Sequence, residues 1–360
     1  MVLGYIGSKH SLIKFIDEHI SLCIDDNISW DNITFVDLFA GTSSVGFNYR
    51  KKGCRVISND IEYYSYVISK GYIEGNYNET MQDCIDELNN IDINEYQNNG
   101  IITNYYTIDG KYSDTNSGNR NFFKPSNAIK TDIMRMKIEE WFKEEYINEN
   151  EYYFLLASLI ETLDSLANTI GVYGAFLKDK MKPSADKDII LTPLHTETEH
   201  NKFNVVFNKD VLNIERDDII LNKNPTEYIL YADPPYNQRQ YSSNYHILNV
   251  IAHYDIEKFP IRQDTTAGLL VNKNTSDYCK KRDVTSAFES LLQNITKWNI
   301  NNFYMSYNDE GLMSLDIIKN LMTKYGDNYH IYEKDYARYK CNNNKQKQKQ
   351  TIEYLHYIKF

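Results

Sequence analysis

The fold is decided by the stretch Ile33-Thr34-Phe35-Val36-Asp37-Leu38-Phe39-Ala40-Gly41-Thr42-Ser43-Ser44-Val45-Gly46. Residues 33–40 are a compact apolar run rich in β-forming side chains, and small residues then lead into an amphipathic stretch up to residue 52. This order predicts a strand, a tight turn and a helix. A second predicted strand, residues 54–58, follows at the distance of a βαβ unit and ends at Asn59-Asp60. The layout is typical of half of an open α/β nucleotide-binding sheet.

Two acidic residues stand where these predicted strands end. Asp37 begins the glycine turn, and Asp60 lies where an acid commonly accepts hydrogen bonds from a ribose, about twenty residues further on. Ser43 stands where a dinucleotide motif has its second glycine, which weakens a pyrophosphate interpretation. An acid in the turn would repel phosphate but could bind an ammonium group. The pair favours a ligand with a ribose and an amine, such as S-adenosylmethionine; the alternatives are an ordinary βα turn and a helix N-cap at Asp60.

The loop Asp233-Pro234-Pro235-Tyr236 follows the apolar run 228–232. Two prolines lock φ and offer no N–H, so the strand must end here in a rigid loop. Asp233 and the carbonyl of Pro234 could accept both N–H bonds of an exocyclic amino group and so make its nitrogen more nucleophilic, while Tyr236 could stack on the base. Pro235 completes the rigid backbone. The alternative is a plain Asp-Pro turn.

Bulk composition narrows the class of protein. The chain has 360 residues, 42% hydrophobic and 25% charged, which predicts a globular protein with a sizeable core. A net charge of −11 disfavours indiscriminate nucleic-acid binding but leaves room for a basic cleft. Five scattered cysteines without a C-x-x-C pair favour free thiols in a reducing compartment. With no apolar leader and no run of membrane-spanning length, we expect an intracellular, soluble, cytoplasmic protein.

Between about residues 72 and 201 the predicted strands and helices no longer alternate, and Asn, Asp and Tyr dominate the composition. This change predicts an insertion between two halves of a core: residues 1–71, the insertion 72–202 and residues 203–360. The remaining predicted helices are residues 129–146, 151–168, 245–254, 286–298 and 314–325. The remaining predicted strands are residues 203–207, 228–232, 303–306 and 354–360.

The ordered motifs Tyr5-Ile6-Gly7-Ser8-Lys9, Asp37-Leu38-Phe39-Ala40-Gly41, Asn59-Asp60 and Asp233-Pro234-Pro235-Tyr236 resemble those of the D12 class of adenine-N6 DNA methyltransferases, the Dam-like α group. Segments elsewhere, including Gly171-Val172-Tyr173-Gly174-Ala175-Phe176-Leu177-Lys178, are similar to the restriction-modification branch. The resemblance implies a Rossmann-like, seven-stranded mixed α/β sheet with a target-recognition insertion. It implies methyl transfer from S-adenosylmethionine to a flipped-out adenine in double-stranded DNA, by a monomer or weak dimer that can have a cognate restriction endonuclease.

The same resemblance assigns roles to single residues. Tyr5 and Lys9 would close over the methyl donor, with Lys9 reaching the donor carboxylate or the target strand. The catalytic loop would be Asp233, Pro234, Pro235 and Tyr236. The other residues implied in donor binding are Asp37 for the amine, the backbone at Ala40 and Gly41 for the carboxylate, Asp60 for the ribose, and Asp210 for the adenine amino group. Lys178, Arg338 and Lys340 would contact DNA, although charged runs are often only solvated surface.

Three readings stay open beside this one. Similar loops serve any planar amine, so the target could be RNA or a protein amide; alternatively, the chain could be a catalytically silent protein that binds DNA or senses the donor.

A metal site built from His195, Glu197, Glu199 and His200 is not expected, since their spacing is not that of a helical ligand pair.

Overall fold

The structure, a computed structural model, describes residues 7–25, 27–95, 100–115, 118–195, 203–220, 227–337 and 350–360. Its strands are β1 (Ile33–Asp37), β2 (Arg55–Asn59), β3 (Val205–Phe207), β4 (Glu227–Ala232), β5 (Asn302–Asn308), β6 (Asp327–Ala337) and β7 (Gln350–Lys359). They form one seven-stranded sheet in the order β3-β2-β1-β4-β5-β7-β6. The first five strands of that order run parallel, whereas β7 is antiparallel to both β5 and β6. The predicted mixed seven-stranded α/β sheet is thereby confirmed.

Both faces of the parallel strands are covered, because every residue of β1 and β2 is buried. On one face Phe35 stacks on Tyr49 of the following helix, with ring centroids 3.8 Å apart. On the other face Val36 belongs to a buried cluster with Phe288 and Phe303. This two-sided burial explains why these strands have continuous apolar runs rather than alternating patterns.

The described helices are α1 (Ile13–Ser21), α2 (Ser44–Lys51), α3 (Tyr63–Ser69), α4 (Glu79–Asn89), α5 (Ile101–Tyr106), α6 (Pro125–Lys143), α7 (Glu149–Ser165), α8 (Arg216–Ile219), α9 (Tyr241–Asn244), α10 (His246–His253), α11 (Val284–Trp298) and α12 (Leu315–Tyr325). The five helices predicted beyond α2 correspond to α6, α7, α10, α11 and α12, with ends shifted by a few residues. Among the described helices, none has the length and apolar character needed to cross a bilayer.

The chain divides into two compact units. The helical unit comprises Met1–Ile6, Glu62–Glu199 and Tyr241–Asn274. The sheet unit comprises Gly7–Ile61, His200–Gln240 and Thr275–Phe360. The helical unit thus begins at Glu62 rather than at the predicted residue 72 and includes Tyr241–Asn274, which the sequence interpretation assigned to the second half of the core. Whether this unit recognises the target stays a prediction.

A buried arginine shows why the later segment joins the helical unit. The guanidinium of Arg120 is fully buried and donates to the backbone carbonyls of Arg262, Thr265 and Thr266. It also donates to the carbonyls of Tyr105 and Tyr112. A guanidinium can satisfy several acceptors at once, so one side chain ties the 262–266 loop to residues about 140 positions earlier in the chain.

The buried face of β5 offers a test of the sheet core. Replacing Phe303, which is fully buried, by alanine should lower the free energy of unfolding by about 3–5 kcal/mol, because a large cavity is left behind. Urea denaturation measures the change. The matched control is Phe203→Ala, since Phe203 is 55% exposed and its loss should change stability by less than about 0.5 kcal/mol. Equal effects of the two substitutions would contradict this packing.

Candidate active site

The turn between β1 and α2 brings the Asp37 carboxylate back against the helix. Asp37 Oδ2 accepts a hydrogen bond of 3.2 Å from the backbone N–H of Gly46, in the first turns of α2. A Cβ at residue 46 would lie 3.1 Å from Ser58 Oγ and 3.4 Å from Asp37 Oδ2, so only glycine allows this close approach without displacement. Ser43, the departure from a second glycine, takes the left-handed conformation itself, with φ 58°. The turn is therefore made without that glycine.

Asp37 is buried and incompletely paired. Its side chain is almost fully shielded from solvent, and Oδ1 has no hydrogen-bond partner among the described residues. Burial and, next, the charge of Asp233 raise the pKa of Asp37 to about 7, against the opposing effect of the backbone N–H groups of Gly46 and Phe39. An unpaired buried carboxylate oxygen is costly. The arrangement suits a ligand that brings a positive charge or hydrogen-bond donors.

Asp60 and its neighbour Asn59 fix the ends of two strands. Asp60 Oδ2 accepts a 2.8 Å hydrogen bond from the N–H of Gly41, and the N–H of Ala40 donates to the carbonyl of Asn59 over 2.9 Å. The buried Asn59 amide donates to the carbonyl of Lys209 and accepts from the N–H of that residue. The Asn59-Asp60 pair thus ties the glycine turn to the loop after β3. The backbone N–H groups of Ala40 and Gly41 are therefore both already engaged.

Asp210 lies in that same loop, half-buried at the start of a short 3₁₀ turn. Its Oδ1 accepts from the N–H of Leu212 over 3.0 Å, so the side chain caps the turn. Its charge raises the pKa of the buried Tyr278, after the larger effect of burial. Asp210 therefore lies in the sheet unit with Asp37 and Asp60, in a loop anchored by Asn59.

The Asp-Pro-Pro-Tyr loop follows β4 directly, as the prolines predicted. Pro234 is buried, while Asp233 and Tyr236 are partly accessible. The Tyr236 hydroxyl lies 2.5 Å from Asp233 Oδ1, and its ring meets that of Tyr307 edge-on at 5.1 Å between centroids. The Tyr236 carbonyl accepts from the N–H of Leu312 over 3.0 Å. These contacts hold the loop in one conformation.

Lys9 lies within this loop's polar cluster. Its Nζ is 2.8 Å from Asp233 Oδ1 and 3.2 Å from Glu353 Oε1, and it also donates to the Tyr236 hydroxyl. The Tyr236 hydroxyl is in turn 2.7 Å from Glu353 Oε1. The sequence interpretation placed Lys9 on the donor carboxylate or on the target strand. In the structure the Lys9 ammonium instead contacts the carboxylate of Asp233, the residue predicted to accept from the target amine.

Burial and charge set the protonation of this cluster. The pKa of Asp233 is raised to about 6, because burial and the charge of Glu353 together outweigh the opposing effect of Lys9 and of the Tyr236 hydroxyl. Burial lowers the pKa of Lys9, but Asp233 and Glu353 together outweigh this, so the net direction is upward. Burial raises the pKa of Tyr236 well above its usual range, and the two carboxylates raise it further. At neutral pH, Lys9 is charged and Tyr236 keeps its proton.

Sequence reasoning did not identify Glu353. The predicted terminal strand began at residue 354, whereas β7 begins at Gln350 and includes this glutamate. A single acid in the otherwise apolar run Ile352-Glu353-Tyr354-Leu355 was the available signal. A buried charge in a strand interior requires a partner, and here Lys9 and Tyr236 provide it.

The other predicted site residues are not all described. Tyr5, Arg338 and Lys340 lie outside the described residues, as do Glu197, Glu199 and His200. Lys178 is exposed in the helical unit. The described residues contain no group of three or more His, Cys, Asp or Glu side chains arranged to hold a metal ion.

Comparison with known proteins decides the family. The model of the D12 class of N6 adenine-specific DNA methyltransferases matches residues 5–321, nearly the whole chain. The chain belongs to this family. It is a site-specific DNA adenine-N6 methyltransferase, as the resemblance implied.

Its relatives are modification enzymes. The type II methyltransferase M.NlaIII of Neisseria lactamica is 37% identical over 364 aligned residues, which cover 99% of both chains. The type II methyltransferase M.CviAII of Paramecium bursaria Chlorella virus 1 is 36% identical over 90% of this chain and 89% of the relative. M.FokI of Planomicrobium okeanokoites is 34% identical, but this methyltransferase matches only 52% of that longer protein.

The raised pKa of Asp37 predicts how stability depends on pH in this methyltransferase. A carboxyl group with a folded-state pKa of about 7, against an ordinary 3.8, stabilises the fold fully below the ordinary value and loses that contribution as pH rises through about 7. The free energy of unfolding of Asp37→Asn should therefore exceed that of the wild type by about 1–3 kcal/mol near pH 8. Near pH 4 the two proteins should be equally stable. Urea denaturation across that range, without ligands, measures the difference.

The matched control is Asp217→Asn, because the Asp217 side chain is 94% exposed. Its difference from the wild type should stay small at every pH. A loss of stability in Asp37→Asn near pH 8 would contradict the assignment of Asp37 as a buried, poorly paired carboxylate.

Proposed function

We propose that this DNA adenine methyltransferase binds S-adenosylmethionine at the ends of β1 and β2 and presents the target adenine at the end of β4. The observation that carries the proposal is the unpaired Oδ1 of buried Asp37. An ammonium group beside that oxygen would supply the missing partner and favour the ionised carboxylate. A phosphate there would meet negative charge instead.

Other residues of the sheet unit would complete the donor site. Asp60 would accept from ribose hydroxyls and Asp210 from the adenine amino group of the donor, both from loops fixed by Asn59. Ala40 and Gly41 would lie against the donor through a close backbone approach, since their N–H groups already donate within the turn. When bound, the donor supplies a methyl group on a sulfonium centre, a good leaving group that needs no metal.

The acceptor side would be the Asp-Pro-Pro-Tyr loop. Asp233 and the Pro234 carbonyl would accept the two N6–H bonds of adenine, and Tyr236 would stack on the ring. The amino group is inaccessible inside a duplex, so the base must be flipped out at a cost of a few kcal/mol. Base–aromatic stacking of roughly 1–3 kcal/mol would recover part of this cost.

Phosphate contacts would contribute further to DNA binding. Lys178, Arg338 and Lys340 are the proposed contacts, and the helical unit is the proposed target-recognition region. The type II names of the relatives support a cognate restriction endonuclease acting on the same site. We propose a monomer or weak dimer as the active form.

Labelled S-adenosylmethionine tests the donor and the product together. Incubation with unmethylated duplex DNA should place the label on N6-methyladenine, as measured by nucleoside analysis after digestion. Sequencing the methylated adenines in a genome from cells that express the chain should show one short recurring site. Label only on cytosine, RNA or protein would overturn the proposal.

Replacing the proposed acceptor residue tests the catalytic loop. Asp233→Ala should lower kcat by at least about a hundredfold, because the N6 amine loses the acceptor that activates it. Equilibrium binding of the donor should change far less, and the thermal midpoint should show a folded protein. The exposed Asp264→Asn serves as the control and should keep full activity. Turnover by Asp233→Ala near the wild-type rate would remove the proposed role.

A further inference from the structure

Glu353 is a buried acid at the centre of an antiparallel strand. It lies on β7 directly opposite Asn308 of β5 on one side and Lys334 of β6 on the other. Its side chain is 5% exposed, whereas that of Lys334 is in solvent. A buried carboxylate costs several kcal/mol unless it is paired. Its partners are Lys9 and Tyr236, both parts of the proposed active site.

Four polar groups form a closed ring of contacts around the loop. Asp233 Oδ1 and Glu353 Oε1 each lie within hydrogen-bonding distance of the Tyr236 hydroxyl, at 2.5 and 2.7 Å. The Lys9 ammonium also faces the same two oxygens, at 2.8 and 3.2 Å, and its Nζ lies 4.6 Å from the centre of the Tyr236 ring. Glu353 therefore holds the two groups that in turn hold Asp233.

The supply of protons limits this ring. A tyrosine hydroxyl has one hydrogen and can donate to one carboxylate at a time, whereas an ammonium group has three. Lys9 Nζ also lies 3.2 Å from the Gly7 carbonyl and contacts the Tyr236 hydroxyl, so its three hydrogens serve four acceptors. The two carboxylates therefore compete for donors unless one of them carries a proton. Removing Glu353 would thus redistribute the donors that reach Asp233.

The contacts also distinguish the two oxygens of Asp233. Both polar contacts of Asp233 with described side chains, Lys9 and Tyr236, involve Oδ1. Oδ2 is the oxygen that remains for an incoming amine. A carboxylate held through one oxygen cannot rotate freely, so the other oxygen keeps a fixed direction.

We propose that Glu353 is a positioning residue for the methyl-acceptor site: it anchors Tyr236 and Lys9 so that they hold Asp233 through Oδ1 and leave Oδ2 for the target N6 amine. The proposal rests on the proposed role of Asp233. Glu353 contacts neither donor nor DNA in this scheme. It acts on turnover by fixing the loop geometry and by adding its charge to the cluster.

The charge of Glu353 gives the proposal a pH signature. The groups that face Asp233 are Lys9, Asp37, Tyr236 and Glu353, with Tyr231 of β4 behind them. Burial and the Glu353 charge raise the pKa of Asp233, whereas the hydrogen bond from Tyr236 lowers it. Since an ionised Asp233 accepts from the amine much more strongly than a protonated one, its pKa would set the acid limb of the pH profile of kcat.

Glu353→Gln keeps the size and the acceptor oxygen but removes the charge. We expect kcat to fall about 10- to 100-fold, the size of effect that loss of a buried charged hydrogen bond gives, while KM for DNA and for the donor changes by less than about threefold. The acid limb should move to lower pH. Steady-state kinetics between about pH 5 and 9 measure all three quantities.

Tyr236→Phe keeps the stacking ring and removes only the hydroxyl. It should also lower kcat but move the acid limb to higher pH, because Asp233 loses a stabilising donor. The double variant should be less impaired than the product of the two single effects, since both act through one hydroxyl. If Glu353→Gln fails to fold in a thermal melt, Glu353→Asp takes its place, because it keeps the charge but draws the carboxylate back from Tyr236 and Lys9. It should still lower kcat, and a wild-type kcat in that variant would overturn the positioning role.

The matched control is Glu333→Gln on the neighbouring strand β6, where the side chain is exposed. It removes the same charge and should leave both kcat and the pH profile unchanged. A wild-type pH profile for Glu353→Gln, or single effects that simply multiply, would overturn the positioning role. If the positioning role of Glu353 failed in this way, an active wild type and an inactive Asp233→Ala variant would still support the proposed function. Failure of the Glu353 role is therefore distinguishable from failure of the proposed function.

Discussion

The parallel pairing of β1 with β2 and β4 is the constraint on which the site depends. The register places Asp37 beside Ser58 on one side and beside Tyr231 on the other, so all three strands end at one edge of the sheet. Asp60 and Asp233 each follow within two residues of those positions. Since parallel strands put their carboxyl ends together, the residues after each strand converge although they are far apart in sequence. The two-sided burial of β1 and β2 keeps this register fixed.

The convergence concentrates negative charge. The Asp37 carboxylate interacts with the charges of both Asp233 and Asp60, and Glu353 adds a fourth charge close to Asp233. Among the described side chains, Lys9 is the cation that contacts Asp233 and Glu353. Replacing Asp37, a buried acid with an unpaired oxygen, would make the fold more stable. Its presence is typical of a binding site, where residues needed for a ligand often lower the stability of the free protein.

The sequence predicted the elements whose physical signals are local. Continuous apolar runs indicated β1, β2 and β4, and the prolines marked the end of β4. It did not predict β6, because that edge strand is exposed along most of its length and has no alternating apolar pattern. Nor did it predict that Tyr241–Asn274 belongs to the helical unit, since the deciding contacts come from Arg120, well over a hundred residues earlier. Lys9 and Glu353 were separated by nearly the whole chain, so no local pattern could show that they meet.

Those distant partners give the antiparallel strand β7 a role beyond closing the sheet. Because β7 lies between β5 and β6, one of its side chains reaches the loop after β4, two strands away in the sheet order. The charges of this cluster also influence one another. The charge of Asp233 raises the pKa of Asp37. A cation bound beside Asp37 would therefore favour the ionised Asp37 carboxylate and, through its own positive charge, the ionised form of Asp233 as well. The charge of Glu353 works in the opposite direction, because it raises the pKa of Asp233. Its contacts with Tyr236 and Lys9 keep the acceptor loop in place when the charge of Asp233 changes. The same cluster can therefore respond electrostatically to a ligand at β1 without losing the geometry of the acceptor loop.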